Sequence, residues 1–167
     1  PAFAGEWNEV GDAIDLPPGQ KTDGVSPLTA INGTLLTDDA DMYCIYVPDP
    51  AAFSATTCGG TAADTQLFLF DEVGFGVSMN DDDPGGCGLQ STVTGAFMAG
   101  PGSYLLAISA YDHDPAGPGG DIWADTPYGV ERAPDGPGAP GPVIGWSGTG
   151  FDAEGYTIFL TGANFCN

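Results

Sequence analysis

Clustered carboxylates are the residues of this chain that could do chemistry. Acidic side chains outnumber Lys and Arg 23 to 2, and folding must bring several of them together, so their repulsion has to be screened, removed by protonation or bridged by cations. Hard oxygen ligands in short Asp- and Asn-rich turns suit calcium. The plainer alternative is an acidic surface adapted to high salt, but such a surface would use more Glu, whereas Asp outnumbers Glu 18 to 5 here. The sequence therefore predicts a calcium-stabilised domain.

The first predicted site is built on Asp39 and Asp41. Alternate residues of an extended segment point to the same side, so both carboxylates can converge on one ion. Adding Glu6, Asn8 and Asp12 from the acidic N-terminal segment supplies the six to eight oxygens that calcium takes, with carbonyl groups completing the shell. A solvated turn without an ion is the alternative.

Acidic clusters later in the sequence provide further candidate ligands. Residues 73–76, Val-Gly-Phe-Gly, are predicted to turn the chain back and bring Asp71 near Asn80, Asp81 and Asp82 as a second site, although an ion-free cluster of Asx turns is also open. A third turn carries Asp112 and Asp114 as calcium ligands.

Catalysis is not predicted. His113 lies between two carboxylates that would raise its pKa, but no nucleophile motif such as G-x-S-x-G accompanies it. Paired carboxylates could act as a glycosidase, yet acids that share a metal ion cannot also serve as acid and base. We expect no enzyme.

Strands must position these groups. No stretch shows the apolar stripe of a helix, whereas runs rich in β-branched and aromatic residues recur between turns. Strands are predicted at 28–36, 42–47, 52–57, 65–70, 75–79, 91–97, 103–110 and 156–161. Residues 42–47, 67–70 and 104–108 are apolar on both faces, which indicates central strands. The prediction is an all-β, antiparallel, jelly-roll-like β-sandwich formed by one domain, residues 1–167, with the acidic segment 1–15 at its start.

Residues 115–148 interrupt this rhythm as a long Gly/Pro-rich insertion. Gly and Pro fill 16 of these 34 positions, but the segment also carries Ile122, Trp123, Tyr128, Val143 and Trp146, which a solvated linker would not. A loop of this length inside a compact domain is usually functional or disordered. We expect it to fold against its own sandwich or against a neighbouring molecule.

Cysteine usage indicates an exported protein. Cys44, Cys58, Cys87 and Cys166 lack the spacing of a zinc site. Of the three possible pairings we favour Cys44–Cys58, on successive strands, with Cys87–Cys166. The small-x-small residues 2–4 after Pro1 are expected to reflect signal processing, and no apolar run approaches a membrane span. The negative charge disfavours nucleic acid and anionic lipid as partners.

Four motifs in order resemble the bacterial pre-peptidase C-terminal domain: residues 33–47 with Asp39-Ala40-Asp41-Met42-Tyr43, residues 64–71, residues 80–82 and residues 102–108. The match covers roughly residues 6–112 and the closing strand. Those modules are calcium-binding jelly-roll sandwiches of secreted peptidases, some of which bind collagen. The resemblance implies that Glu6, Asn8, Glu9 and Asp12 join Asp39 and Asp41 in binding calcium. The insertion, the cysteines and the lack of an attached peptidase depart from that pattern.

Two functions fit the sequence. The preferred one is a secreted, non-catalytic structural subunit that self-associates into an extracellular filament or cell-surface matrix. An apolar N-terminus that docks into a neighbouring copy by strand addition makes a head-to-tail contact, which does not close and builds a fibre. The alternative is an adhesion module for glycan or protein, with Trp7 among its contacts. The predicted assembly contacts are Pro1, Ala2, Phe3, Ala4, Trp123, Tyr128 and Trp146.

Overall fold

Short strands dominate the computed structural model, which describes residues 5–150 and 154–167. They are β1 (Glu6–Asn8), β2 (Gln20–Lys21), β3 (Leu28–Leu35), β4 (Ala40–Val47), β5 (Ser54–Thr56), β6 (Thr65–Asp71), β7 (Gly76–Asn80), β8 (Thr92–Thr94), β9 (Gly102–Ala110), β10 (His113–Gly117), β11 (Gly120–Asp121), β12 (Gly145–Gly148) and β13 (Glu154–Phe165). Every predicted strand has an observed counterpart, and the all-β prediction is confirmed. In the described part of the chain no helix has the length and apolar character needed to cross a membrane.

Two layers form a sandwich that shares its last strand. One layer pairs β1, β3, β13, β5 and β8, and the other pairs β2, β4, β9, β6 and β7. β13 belongs to both, because its end pairs with β4 after a register shift between Phe159 and Ala163. Gly162 lies at that shift with φ of 66°, a left-handed conformation that favours glycine.

The inner core fills the space between the layers. Alternate residues of β4, such as Tyr43, Ile45 and Val47, face Ile31 of β3 and Ile158 of β13, and all five are fully buried. Strands with two neighbours in the sheet were predicted from runs that are apolar on both faces. β4, β9 and β6 occupy such central positions, which confirms that prediction.

The Gly/Pro-rich insertion covers the outer face of the second layer. Ile122, Trp123 and Val143 pack there against Phe68 and Phe70, and they form a second hydrophobic cluster. The insertion also carries a small sheet in the order β11-β10-β12. Of the two expected arrangements, the segment therefore folds against its own sandwich, which explains why β4, β6 and β9 are apolar on both faces.

The disulfides join Cys44 to Cys166 and Cys58 to Cys87, with Cα–Cα distances of 5.6 and 5.9 Å. The favoured pairing, Cys44–Cys58 with Cys87–Cys166, is wrong. It assumed that successive strands are neighbours, but β4 pairs with the end of β13, which brings Cys166 beside Cys44.

Two short strands near the N-terminus, β1 and β2, join the sandwich. β1 pairs with β3 and β2 pairs with β4, both in parallel, so the sheet is mixed rather than purely antiparallel. Between β1 and β2, Ala13 is 1% exposed in the inner core. Burial of Ala13 and the two short ladders hold Glu9 and Asp12 next to the start of β4.

Candidate metal centre

Asp41 occupies the first inward-facing position of β4. It shares the inner face with Tyr43, whereas the next residue, Met42, faces the outer cluster. Its carboxylate is 0% exposed at the end of the hydrophobic core. A buried carboxylate at such a position needs hydrogen bonds or a counter-charge, because an isolated charge is expensive to remove from water.

Two tyrosines satisfy only one oxygen of Asp41. The Tyr156 hydroxyl donates to Oδ2 of Asp41 at 2.6 Å and lies 2.6 Å from the Tyr43 hydroxyl. Gly33 of β3 leaves space for these hydrogen-bonded side chains, since a Cβ there would lie 2.3 Å from the Tyr156 hydroxyl oxygen. Oδ1 of Asp41 is buried and has no hydrogen-bond partner in residues 5–150 and 154–167.

Glu9 and Asp12 bring two more carboxylates to Asp41. The Glu9 backbone N–H donates to the Asn32 carbonyl at 2.9 Å, and its side chain accepts from the backbone N–H groups of Ala13 at 2.8 Å and Thr34 at 2.9 Å. One oxygen each from Glu9, Asp12 and Asp41 lie within 4.8 Å of one another. We call these three residues the Asp41 cluster.

Proximity of these groups disfavours ionisation of Asp41. Burial, together with the charges of Glu9 and Asp39 and a side-chain contact with Glu9, raises the pKa of Asp41 to about 8 despite the lowering effect of the Tyr156 hydrogen bond. At an effective dielectric constant of about 20, two unit charges 4.8 Å apart repel by roughly 3 kcal/mol. The described residues contain one ion pair, Arg132 with Asp135, and it lies outside this cluster.

A calcium ion fits this donor set. Calcium binds oxygen ligands at about 2.3–2.6 Å, so oxygens of one shell lie at most about 5 Å apart, and the three oxygens of the Asp41 cluster meet that limit. The donors are all carboxylates, which suit calcium or magnesium rather than a softer transition metal. The unpartnered Oδ1 of Asp41 is the atom that such an ion would satisfy.

The other predicted ligands of this first site lie apart from the cluster. Asp39 is 8% exposed, and its Oδ2 accepts from the Leu36 N–H at 2.7 Å, so it closes its own turn. Burial raises the pKa of Asp39, and the charges of Asp12 and Asp15 add to this. Glu6 is half-buried in β1 outside the group, and the side-chain oxygen of exposed Asn8 accepts from Asn32 at 3.2 Å.

The predicted meeting of Asp71 with the later acids does not occur. Asp71 lies at the turn end of the β6–β7 hairpin, where its Oδ1 accepts from the N–H groups of Val73 and Phe75 at 3.0 and 2.9 Å. Asn80 lies at the opposite end, paired with Leu67. A hairpin turn joins the end of one strand to the start of the next, so it cannot bring Asp71 to the far end of β7.

Asp64, which the sequence analysis did not select, takes the place of Asp71. It precedes β6, whereas Asp81 and Asp82 follow β7, and one oxygen of each lies within 4.8 Å of the others. We call these three residues the Asp81 cluster. The antiparallel register of the hairpin was the signal that could have found Asp64, because residues before β6 must lie beside residues after β7.

Asn80 positions the Asp81 cluster and offers it no free oxygen. Its side-chain amide donates to the carbonyls of Asp82 at 2.7 Å and Tyr128 at 3.3 Å, and its Oδ1 accepts from the Thr92 N–H at 2.8 Å. Asn80 is therefore a structural residue of this corner, where it had been predicted as a ligand.

Neither Asp112 nor Asp114 joins a carboxylate group in the described residues. Asp112 is exposed, and Asp114 accepts from the Gln66 amide at 3.2 Å. Burial raises the pKa of Asp114 to about 6. A further grouping of Asp83 with Cys58 and Cys87 is not a metal site, because the two sulfur atoms are bonded to each other.

The predicted assembly contacts have mostly intramolecular roles. Trp123 is 3% exposed and packs on Phe68 with ring centroids 5.4 Å apart, so its assignment to an intermolecular contact is wrong. Trp146 stacks on His113 with centroids 5.6 Å apart and donates to the Asp15 carbonyl. Tyr128 lines a cleft at the Asp81 cluster. Residues Pro1, Ala2, Phe3 and Ala4 lie outside the described residues.

Comparisons with models of known families, with curated proteins and with solved structures yield no match to this chain.

Proposed function

We propose that this chain is a non-catalytic, calcium-stabilised β-sandwich that serves as a structural subunit of an extracellular assembly. The observation that carries the proposal is the carboxylate of Asp41, which is 0% exposed, lies within 4.8 Å of two further carboxylates and keeps one buried oxygen without a partner among the described residues. An ion at this position would join the N-terminal segment to β4 and, through Tyr156, to β13.

An extracellular location agrees with the two disulfides, since disulfides persist mainly in oxidising compartments. Extracellular calcium is also abundant enough to occupy sites of modest affinity, in the range of about 10⁻⁴–10⁻³ M that is typical of extracellular modules. The resemblance to calcium-binding modules of secreted peptidases points in the same direction.

A non-catalytic role agrees with the surroundings of His113. The residue is 6% exposed, and its ring is stacked on Trp146. The nearby Ser109 hydroxyl donates to the His113 carbonyl at 2.7 Å rather than to the ring. The ring is thus packed against Trp146, and among the described residues it makes no hydrogen bond to Ser109.

Thermal unfolding in calcium and in EDTA tests whether a bound calcium ion stabilises the fold. Calcium at about 100 times its Kd adds about 2.7 kcal/mol, which raises the Tm of a chain of this size by roughly 5–10 °C. Asp41→Asn should lose the part of this rise that comes from the ion at Asp41, whereas Asp23→Asn, the same charge change at an exposed position, should keep the whole rise. In EDTA, Asp41→Asn should be at least as stable as the wild type, because it removes a buried charge. Equal Tm values for the wild type in both buffers would contradict the proposal.

Self-association is tested by truncation. Deleting residues 1–4 leaves Gly5, whose carbonyl accepts from the Thr29 N–H and hydroxyl, so the sandwich keeps its first anchoring contact. We expect the shortened chain to fold with an unchanged Tm but to stay monomeric by light scattering and negative-stain electron microscopy. Filaments formed equally by both chains would exclude the N-terminal docking contact.

An adhesion module for glycan or protein is the second candidate, and one feature favours it. A cleft of about 260 Å³ opens at the Asp81 cluster, lined also by Leu89, Tyr111 and Tyr128. Leu89 is 52% and Tyr111 39% exposed. Screening glycans and collagen against the monomer, with Tyr111→Ala/Tyr128→Ala as the control, discriminates the two functions.

A further inference from the structure

The Asp81 cluster contains buried carboxylate oxygens that nothing in the described chain satisfies. Asp81 is 2% exposed, and its Oδ1 has no hydrogen-bond partner in residues 5–150 and 154–167; the same holds for Oδ1 of Asp64. Native proteins rarely leave buried polar atoms unpaired, and each exception calls for an explanation such as an ion. Two such atoms in one cluster are a ligand signal that is independent of the acidity of the sequence.

Main-chain hydrogen bonds hold the backbone around the cluster. Asn80 ties the Asp82 carbonyl to the Tyr128 carbonyl, and the Asp82 N–H donates to that Tyr128 carbonyl at 3.2 Å. On the other side, the Tyr111 N–H donates to the Asp64 carbonyl at 3.1 Å. The three carboxylates are therefore held by main-chain contacts, so their convergence does not depend on flexible side chains alone.

No cationic side chain of the described residues neutralises this cluster. The one ion pair joins Arg132 to Asp135, and Lys21 lies on β2, which pairs with β4 rather than with the β6–β7 hairpin. Burial, followed by the charges of Asp64 and Asp82, raises the pKa of Asp81 to about 7. The corner therefore requires an external positive charge whenever all three acids are ionised.

We propose that Asp64, Asp81 and Asp82 form a second calcium site, separate from the Asp41 cluster and open to the tyrosine-walled cleft. Their oxygens lie within 4.8 Å of one another, close enough to share an ion with Ca–O distances of about 2.3–2.6 Å. Three carboxylates fill only part of a shell of six to eight oxygens. The remaining positions face the cleft between Tyr111 and Tyr128, where water or the oxygens of a bound ligand complete the shell.

Calcium stoichiometry in single-site variants tests the proposal. The metal-stripped protein is titrated with calcium chloride by isothermal titration calorimetry, and bound metal is counted after equilibrium dialysis. We expect two ions for the wild type, one for Asp81→Asn and two for the control Asp112→Asn, an exposed residue outside the cluster. Because Asn is isosteric with a protonated Asp, Asp81→Asn should fold, which circular dichroism in EDTA checks. Two ions bound by Asp81→Asn as in the wild type would overturn the proposal.

Failure of this second site is distinguishable from failure of the first. Asp41→Asn should lose one ion and keep the other, so the double variant binds neither. If Asp81→Asn loses an ion while Asp41→Asn loses none, the second site stands and the proposed role of Asp41 fails.

Terbium luminescence gives a readout of position. In the Asp41→Asn background, terbium replaces calcium in the remaining site and is sensitised by Tyr111 and Tyr128, whose ring centroids lie 5.9 Å apart at the cleft. Adding Tyr111→Phe and Tyr128→Phe should remove most of the emission, while calorimetry still shows terbium binding. Unchanged emission would place the ion elsewhere and contradict the assignment.

Discussion

The two carboxylate clusters differ in how far apart in sequence their parts lie. The Asp41 cluster joins the N-terminal segment, β4 and, through the hydrogen bond from Tyr156, the last strand, with Tyr156 115 positions after Asp41 in the sequence. The Asp81 cluster joins the two ends of one hairpin, inside the 29-residue loop closed by Cys58 and Cys87. An ion in the first cluster therefore stabilises the whole sandwich, whereas an ion in the second stabilises one corner.

The surroundings of the two clusters differ more than their exposure does. The Asp41 cluster combines buried Asp41 with exposed Asp12, whereas Asp81 is buried between half-buried Asp64 and Asp82. Asp41 has one oxygen bound by tyrosine at the end of the inner core, so the protein itself supplies much of the surroundings of an ion there. The floor of the tyrosine cleft is formed by Asp64, Asp81 and Asp82, and an ion there keeps positions free for exchange. On our proposal, these similar groups of three acids have different roles, one structural and one open to ligands.

Removing either disulfide gives the largest expected loss of stability in its region. The Cys44–Cys166 bond closes a loop of 122 residues and the Cys58–Cys87 bond one of 29, and loop closure of these lengths stabilises by about 5 and about 4 kcal/mol. Replacing the first pair by Ser should lower the free energy of unfolding more, and should also weaken calcium binding at Asp41. Denaturant titration with the second pair as the comparison measures this, and an inverse order would contradict it.

A pH titration in EDTA should show destabilisation by several kcal/mol as the pH rises. The folded-state pKa of Asp41 is raised to about 8 and that of Asp81 to about 7, above the unfolded value of 3.8. The folded chain therefore holds more protons between these values, so stability is greatest below pH 4 and falls as the pH rises to 8. Calcium should reduce this fall, since it replaces the protons.

Single variants divide this pH dependence between the clusters. Asp41→Asn should remove the part that extends to pH 8, and Asp81→Asn the part that ends near pH 7. Chemical denaturation of each variant across this range is the measurement. A wild-type protein whose stability in EDTA rises between pH 5 and 8 would contradict the buried, unpaired state of both acids.

Gly33→Ala tests whether the two clusters are independent without changing any charge. The new Cβ would lie 2.3 Å from the Tyr156 hydroxyl oxygen and 2.9 Å from that of Tyr43, so the tyrosine pair must shift. Overpacking of this kind costs about 1–3 kcal/mol. Calorimetry should show weaker calcium binding at the Asp41 cluster only. Gly100→Ala, where no atom lies within 4 Å of the new Cβ and φ is not in the left-handed region, is a control for adding a side chain at a glycine. Weakening of both sites would contradict their independence.

Removing single hydroxyl groups should give the smallest effect. Tyr156→Phe deletes the donor to Asp41 and the contact with Tyr43, which should cost about 1–2 kcal/mol. Tyr111→Phe removes a hydroxyl that contacts only the exposed Tyr128 hydroxyl at 3.3 Å, and its effect should lie within about 0.5 kcal/mol. Thermal unfolding in EDTA compares the two variants. Equal losses of stability would contradict the role of the Tyr156 hydroxyl as the hydrogen-bond donor to Asp41.

The strands were predictable because their cause is local. The alternation of Tyr156, Ile158 and Leu160 with Thr157, Phe159 and Thr161 predicts a half-buried strand, and the first three side chains lie in the inner core of the structure. The small sheet of β10–β12 was missed because its strands run through Gly- and Pro-rich sequence, where pairing depends on packing against Phe68 and Phe70 rather than on strand propensity.

The sites depend on which strands become neighbours, and that is not local. Asp41 was predicted from its alternation with Asp39 on an extended segment, and Glu9 from the family resemblance. The contacts of Asp41 with Glu9 and Tyr156 form only through the parallel β1–β3 pair and the last strand. The disulfide pairing was wrong for the same reason. The hairpin at Asp81 was predictable in principle, since its register alone places Asp64 beside Asp81, yet the wrong end of the hairpin was chosen.

The most direct test of the central claim is an anomalous difference map from crystals grown with calcium chloride. The account predicts two peaks, one bonded to Oδ1 of Asp41 and one to Oδ1 of Asp81, with Ca–O distances of about 2.3–2.6 Å. A map with no peak at Asp41, or with calcium only on exposed acids such as Asp112, would contradict it.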